Sequence, residues 1–209
     1  MPPSLIIGDS VYDIVMKKSK DYYTKLISKK AKFLNNSLIL KRDFNLNEDQ
    51  LRKVFLLPHL VCSEAYVKAF QYKVLNFILY TNTKLLKIGY ITDDKCSFCK
   101  TQPETLLHLL FNRVYSKLFW KDFEYLFYFY SLSKEFVPLS LQDVIIGIIT
   151  SECPFLNYFV LIAKLYIWDC RRSQILLSLA GFKIKIKIKF ETEKYICTKN
   201  KTLDQFSPV

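Results

Sequence analysis

The spacing of apolar and polar positions is helical along most of the chain. From Tyr12 to Phe33 the apolar residues Val15, Tyr22, Leu26, Ile27 and Phe33 are interleaved with Lys17, Lys18, Lys20, Lys25, Lys29 and Lys30. That is the pattern of a basic amphipathic helix. Asn35-Asn36 predicts a loop or short strand before Asn47. Asn47-Glu48-Asp49-Gln50 has the form of a capping box, predicting a helix through Leu57 that Pro58 ends. Ser63 is placed to cap a helix to about Tyr80, with Tyr66, Phe70, Val74, Phe77 and Ile78 facing inward. Residues 81–89 continue or fray that helix, and Gly89 marks its stop. Thr101-Gln102-Pro103-Glu104 predicts a second capped helix with proline in its first turn. Val114 to Leu132 reads as a long aromatic helix, Ser140 opens a short one, and Pro154 opens a long one to about Leu177.

One segment breaks the pattern. Lys183-Ile184-Lys185-Ile186-Lys187-Ile188-Lys189 alternates strictly, the signature of a strand, at a length that suits one. No equally clear second strand offers it a ladder.

Composition narrows the class. A chain of 209 residues suits one domain, or one with a small appendage, and is long enough to bury a core without disulfides. Its 51% apolar content excludes global disorder. Only 4 glycines argue against a turn-rich all-β sandwich and against a glycine-rich phosphate loop. The net charge of +12 favours a polyanionic partner, nucleic acid or an anionic membrane surface. Met1 to Asp9 lacks the pattern of a secretory signal. The most apolar region, Val144 to Trp168, is interrupted by Glu152, Pro154 and Lys164, so no transmembrane segment is predicted. An intracellular setting is therefore expected. The 6 cysteines then read as thiols or ligands rather than a disulfide framework.

Two cysteines stand apart. Cys96-Ser97-Phe98-Cys99 has the Cys-x2-Cys spacing that lets two thiolates reach one ion, and His108 follows on a predicted helix. Small structural zinc sites are assembled this way. A tetrahedral site needs a fourth ligand, and Asn112-Arg113-Val114, one turn further on, supplies none. Cys62, Cys153, Cys170 or His59 would serve if the fold brought one close. The competing reading is two core cysteines and a capped or buried histidine.

The stretch from Phe70 to Gly89, the Cys96-Ser-Phe-Cys99 loop, and Glu104-Thr-Leu-Leu-His108-Leu-Leu-Phe111 closed by Trp120 resemble the C-terminal end of LINE-type (non-LTR) retrotransposon reverse transcriptases. So do Asn157 to Trp168 and Glu191 to Ile196; the resemblance covers about Asn47 to Thr198. It implies a zinc-binding, knuckle-like module with Cys96, Cys99 and His108 as ligands, and it puts the family's fourth ligand, a cysteine, at Arg113. It also implies a helical tail, which sets Phe182 to Ile196 as helix against the alternation. The family's polymerase and endonuclease domains have no counterpart, and Asp93-Asp94 lacks the context of a polymerase palm.

The expected fold is mainly α: a compact helical domain with a Cys-x2-Cys loop and a knuckle-like insertion. Residues 1–46 form a basic helical segment, 47–199 the reverse-transcriptase zinc-binding-like domain, and 200–209 a disordered tail. The expected function is nucleic-acid binding without catalysis, as a fragment of a retrotransposon reverse transcriptase. Zinc would sit on Cys96, Cys99 and His108. Lys17, Lys18, Lys25, Lys29, Arg171, Arg172, Lys185 and Lys187 would meet phosphates of RNA or single-stranded DNA. Tyr22, Tyr23 and Phe33 would stack on bases. The aromatic stretch Phe119 to Tyr130 is expected to face a neighbouring domain, such as a reverse transcriptase acting in trans. Glu104 is expected to cap a helix rather than to act as a base. The alternative, from another class, is a metal-free helical interaction domain, a decayed relic of such an element.

Overall fold

The computed structural model describes residues 4–7, 10–13, 35–130, 138–149 and 154–199. A two-stranded antiparallel hairpin, β1 (Ser4–Ile7) with β2 (Ser10–Asp13), pairs Ser4 with Asp13 and Ile7 with Ser10. The helix expected over Tyr12 to Phe33 therefore starts, at Tyr12 and Asp13, on a strand. The rest of it, with Lys17, Lys18, Lys25 and Lys29, lies outside the described residues, as does the tail at 200–209.

Everything else of regular structure among the described residues is helical: α1 (Asn35–Asp43), α2 (Glu48–Val61), α3 (Ala65–Leu75), α4 (Asn82–Lys87), a π-helical turn (His108–Asn112), α5 (Val114–Tyr130), α6 (Leu141–Ile146), α7 (Pro154–Ser173) and α8 (Leu179–Lys199). The fold is mainly α. The capping box read at Asn47 is in place. Asn47 accepts from the Gln50 N–H at 2.8 Å while Gln50 accepts from the Asn47 N–H at 2.9 Å. Ser140 and Asp143 make the same exchange at the start of α6.

Other boundaries moved for physical reasons. Pro58 does not end α2, which runs to Val61: the proline is buried, and packing holds the last turn despite the missing N–H. Helix α3 begins at Ala65 without a side-chain cap from Ser63 and stops at Leu75, where Phe77 turns left-handed at φ +52°. Thr101 opens no helix. Thr105 does instead, its Oγ1 accepting the His108 N–H at 3.0 Å, because Lys95 and Pro103 are joined in a short antiparallel bridge first.

The core is organised around α7. It buries residues on nearly every side, Val160, Leu161, Ile162, Ala163, Leu165 and Ile167 among them, and packs against α2, α3, α8 and the π turn. Each large aliphatic side chain buried there contributes about 1.5–3 kcal/mol. Phe119, Trp120 and Phe123 of α5 face this core, and Phe119 meets Phe182 of α8 edge-on while Phe123 lies tilted against it, so that part of the aromatic stretch has its neighbour within the chain.

The Lys-Ile alternation lies on a helix. Phe182, Ile186, Lys189, Glu193 and Cys197 recur at four, three, four and four residues and form the inward stripe of α8. The alternation leaves Ile184 and Ile188 exposed on the other side. Among the described residues, no helix is long and apolar enough to cross a membrane.

Candidate metal centre

The Cys96–Cys99 segment makes a tight turn before the helical residues that follow Thr105. The Lys100 N–H donates to the Cys96 carbonyl at 3.0 Å, and Lys100 itself is left-handed at φ +57°. The bridge of Lys95 to Pro103 closes the base of this loop, with the Cys96 N–H donating to the Gln102 carbonyl at 2.8 Å. The turn aims the Thr101 and Gln102 N–H groups and the Thr101 hydroxyl at the Cys99 sulfur. Burial raises the Cys99 pKa, but these donors together with His108 outweigh it and bring the thiol down to about 6.

His108 enters on the π-helical turn, in which the Arg113 N–H reaches back to the His108 carbonyl at 2.9 Å. Such wider turns are rare and concentrate at functional sites. Cys96 is fully buried, His108 is 5% exposed and Cys99 is partly exposed. One ligand atom from each lies within 4.8 Å of the other two. His108 Nε2 stands 3.4 Å from Cys99 Sγ. Two ligands of a tetrahedral zinc, at ordinary Zn–S and Zn–N lengths, would be about 3.6 Å apart. The three residues read from the sequence are thus close enough to bind a metal ion.

No fourth protein ligand joins them among the described residues; Cys62, Cys170 and His59 stay out of the group. Cys153 lies outside the described residues. Arg113 is 1% exposed, its guanidinium carbon 4.7 Å over the Phe98 ring between the two cysteines. Its Nε donates to Ser116 Oγ at 2.8 Å, while Nη1 and Nη2 are buried without a hydrogen-bond partner. Burial pulls its pKa down; Cys96, Glu104 and Cys170, which surround it, push it back up.

Glu104, which the sequence marks as a cap, is fully buried and does different work. It accepts the Asn82 N–H at the start of α4 and the Ser97 N–H and hydroxyl of the cysteine loop, and pairs with Arg171 of α7 at 2.8 Å. Arg171 also donates to Asn82 Oδ1 at 2.7 Å. One carboxylate therefore ties the cysteine loop, α4 and the central helix together.

Of the cations assigned to phosphate, Arg172 and Lys187 are exposed, Arg171 is committed to Glu104, and Lys185 is paired with Asp169 at 2.7 Å. Sequence reasoning missed a basic–aromatic group beside the cysteine loop. Lys84 and Lys87 lie one turn apart on α4, and Tyr80 and Tyr90, at either end of it, are 62% and 77% exposed. Partial burial and the neighbouring Lys87 both lower the Lys84 pKa. The visible signal was an i, i+3 lysine pair flanked by tyrosines, overshadowed by longer lysine runs.

No family model, curated protein or solved structure matches this chain.

Proposed function

We propose that this chain is a nucleic-acid-binding module built around a zinc ion on Cys96, Cys99 and His108. The observation that carries the reading is the convergence of those three ligand atoms within 4.8 Å on a Cys-x2-Cys turn. The net charge of +12 supports a polyanionic partner. Lys84, Lys87, Tyr80 and Tyr90 combine phosphate-binding charge with exposed rings on which unpaired bases stack. Arg172, Lys183 and Lys187 offer a second exposed basic surface. The resemblance of residues 47–198 to the tail of LINE-type reverse transcriptases supports the same reading, with RNA or single-stranded DNA as ligand. We assign no catalytic step to this chain.

The test is fluorescence anisotropy with a single-stranded RNA oligonucleotide across a salt series. Affinity is expected to fall steeply from low to physiological salt. Lys84→Glu with Lys87→Glu should reduce the logarithmic salt slope by about 1.4, or about 0.7 per lost phosphate contact on a single strand. Absence of binding at low salt, or binding indifferent to salt, contradicts the reading.

One observation favours the second reading, a metal-free helical interaction domain. Arg113 stands where the resembling family has a cysteine, and its stacking on Phe98, with the Glu104 network, braces the loop without an ion.

A further inference from the structure

Three protein ligands leave one position of a tetrahedral metal to be filled from outside. The nearest feature of the chain is unusual. Arg113 carries two buried N–H-bearing nitrogens, Nη1 and Nη2, that make no hydrogen bond, and its guanidinium lies over Phe98, the ring between the two cysteines. An unpartnered buried donor is costly, even on a cation whose charge the neighbouring Cys96 and Glu104 partly offset. Cys96, which steadies the guanidinium, gives its negative charge to the metal once the site is assembled. A divalent metal on two thiolates and a neutral imidazole is uncharged, so Arg113 leaves the assembled site with a net charge of about +1, which one monoanion would cancel.

We propose that Arg113 makes this knuckle an anion-binding metal centre, in which a small monoanion takes the fourth coordination position and accepts hydrogen bonds from Nη1 and Nη2. This rests on the metal reading above. Burial sets the ligand class. Cys96 is 0% exposed, Arg113 1% and His108 5%, with Cys99 alone of the four partly open, which restricts the ligand to a halide- or thiocyanate-sized anion and excludes a nucleic-acid phosphodiester. The arginine thus changes what the site binds: a cysteine at 113 would close the metal, and this residue leaves it open to an exchangeable partner.

The experiment uses the full chain loaded with Co²⁺, whose thiolate charge-transfer and d–d absorption bands report coordination, titrated with thiocyanate. The wild type is expected to show charge transfer from two thiolates and a saturable shift of the d–d bands. Arg113→Gln should bind thiocyanate at least tenfold more weakly, and Arg113→Lys should retain part of the affinity. Arg113→Cys should bind Co²⁺ with bands that thiocyanate does not move, which also serves should Arg113→Gln fail to fold. Dimethyl phosphate should leave the wild-type bands in place. Cobalt bound with wild-type bands insensitive to thiocyanate overturns this proposal alone, as does equal thiocyanate affinity in wild type and Arg113→Gln or an equal shift by dimethyl phosphate. Absence of any thiolate charge transfer overturns the metal reading and this proposal with it.

Discussion

Arg171 of α7 and Glu104 of the cysteine-loop segment form an ion pair at 2.8 Å, with the carboxylate fully buried and the arginine side chain 13% exposed. A residue that the charge pattern offers to phosphate is thereby a fastener between the core helix and the loop that carries Cys96 and Cys99. Removing it leaves a buried carboxylate with only neutral donors. Arg171→Ala should destabilise the fold by about 3 kcal/mol, whereas Arg172→Ala, at an exposed position, should change it little. Urea denaturation of the two variants checks this; equal stability would show that the pair does not hold the loop.

A second carboxylate works in a similar way at the far end of α8. Glu193, 2% exposed, accepts the Ser63 N–H at 2.8 Å and the Glu64 N–H at 2.9 Å, and the Cys62 thiol donates to it at 2.8 Å. It caps α3 from another helix, in the role that the sequence suggests for Ser63. Burial first, then the bond and charge of Glu193, push the Cys62 pKa up, so this thiol stays protonated. Glu193→Ala should cost on the order of 3 kcal/mol, since it orphans donors at a helix N-terminus. It should also expose Cys62 to thiol reagents in the native state. Unchanged stability and an unreactive Cys62 would contradict this assignment.

Helix periods and local caps are properties of contiguous residues, which is why Asn47, Ser140 and Pro154 could be read as helix starts from the chain alone. The Cys96, Cys99 and His108 triad was legible for the same reason: its members lie within 13 positions. Glu193 reaching Ser63, and Glu104 reaching Arg171, depend on tertiary packing across 130 and 67 positions, and no local pattern encodes them. The Lys-Ile alternation illustrates the opposite limit. Period two was present, but a strand needs a partner, and the recurrence of Phe182, Ile186, Lys189, Glu193 and Cys197 let α8 bury a stripe instead.

Lys164 is fully buried on α7, where its Nζ donates to Gln71 Oε1 at 2.6 Å and to the Ile145 carbonyl at 3.3 Å. Burial lowers its pKa to about 7 from an ordinary 10.5. The unfolded chain then binds more protons than the folded one between those values. Stability should therefore rise with pH from about 7 to about 10.5, by up to about 1.4 kcal/mol per unit from this group, and the penalty is complete below about 7. In Lys164→Met that contribution vanishes, so the variant's stability relative to wild type should decline steadily as pH rises through this window. Parallel stability–pH curves would show that Lys164 does not titrate in this way.

The proposed function depends first on a metal held by Cys96, Cys99 and His108. Elemental analysis of the full chain, purified under reducing conditions without chelator, measures this directly when run beside His108→Ala. We predict one zinc per wild-type chain and loss of most of it in the variant, because a single imidazole is a third of the protein ligand set. A wild-type chain free of zinc, or zinc retained in full by His108→Ala, would contradict the account.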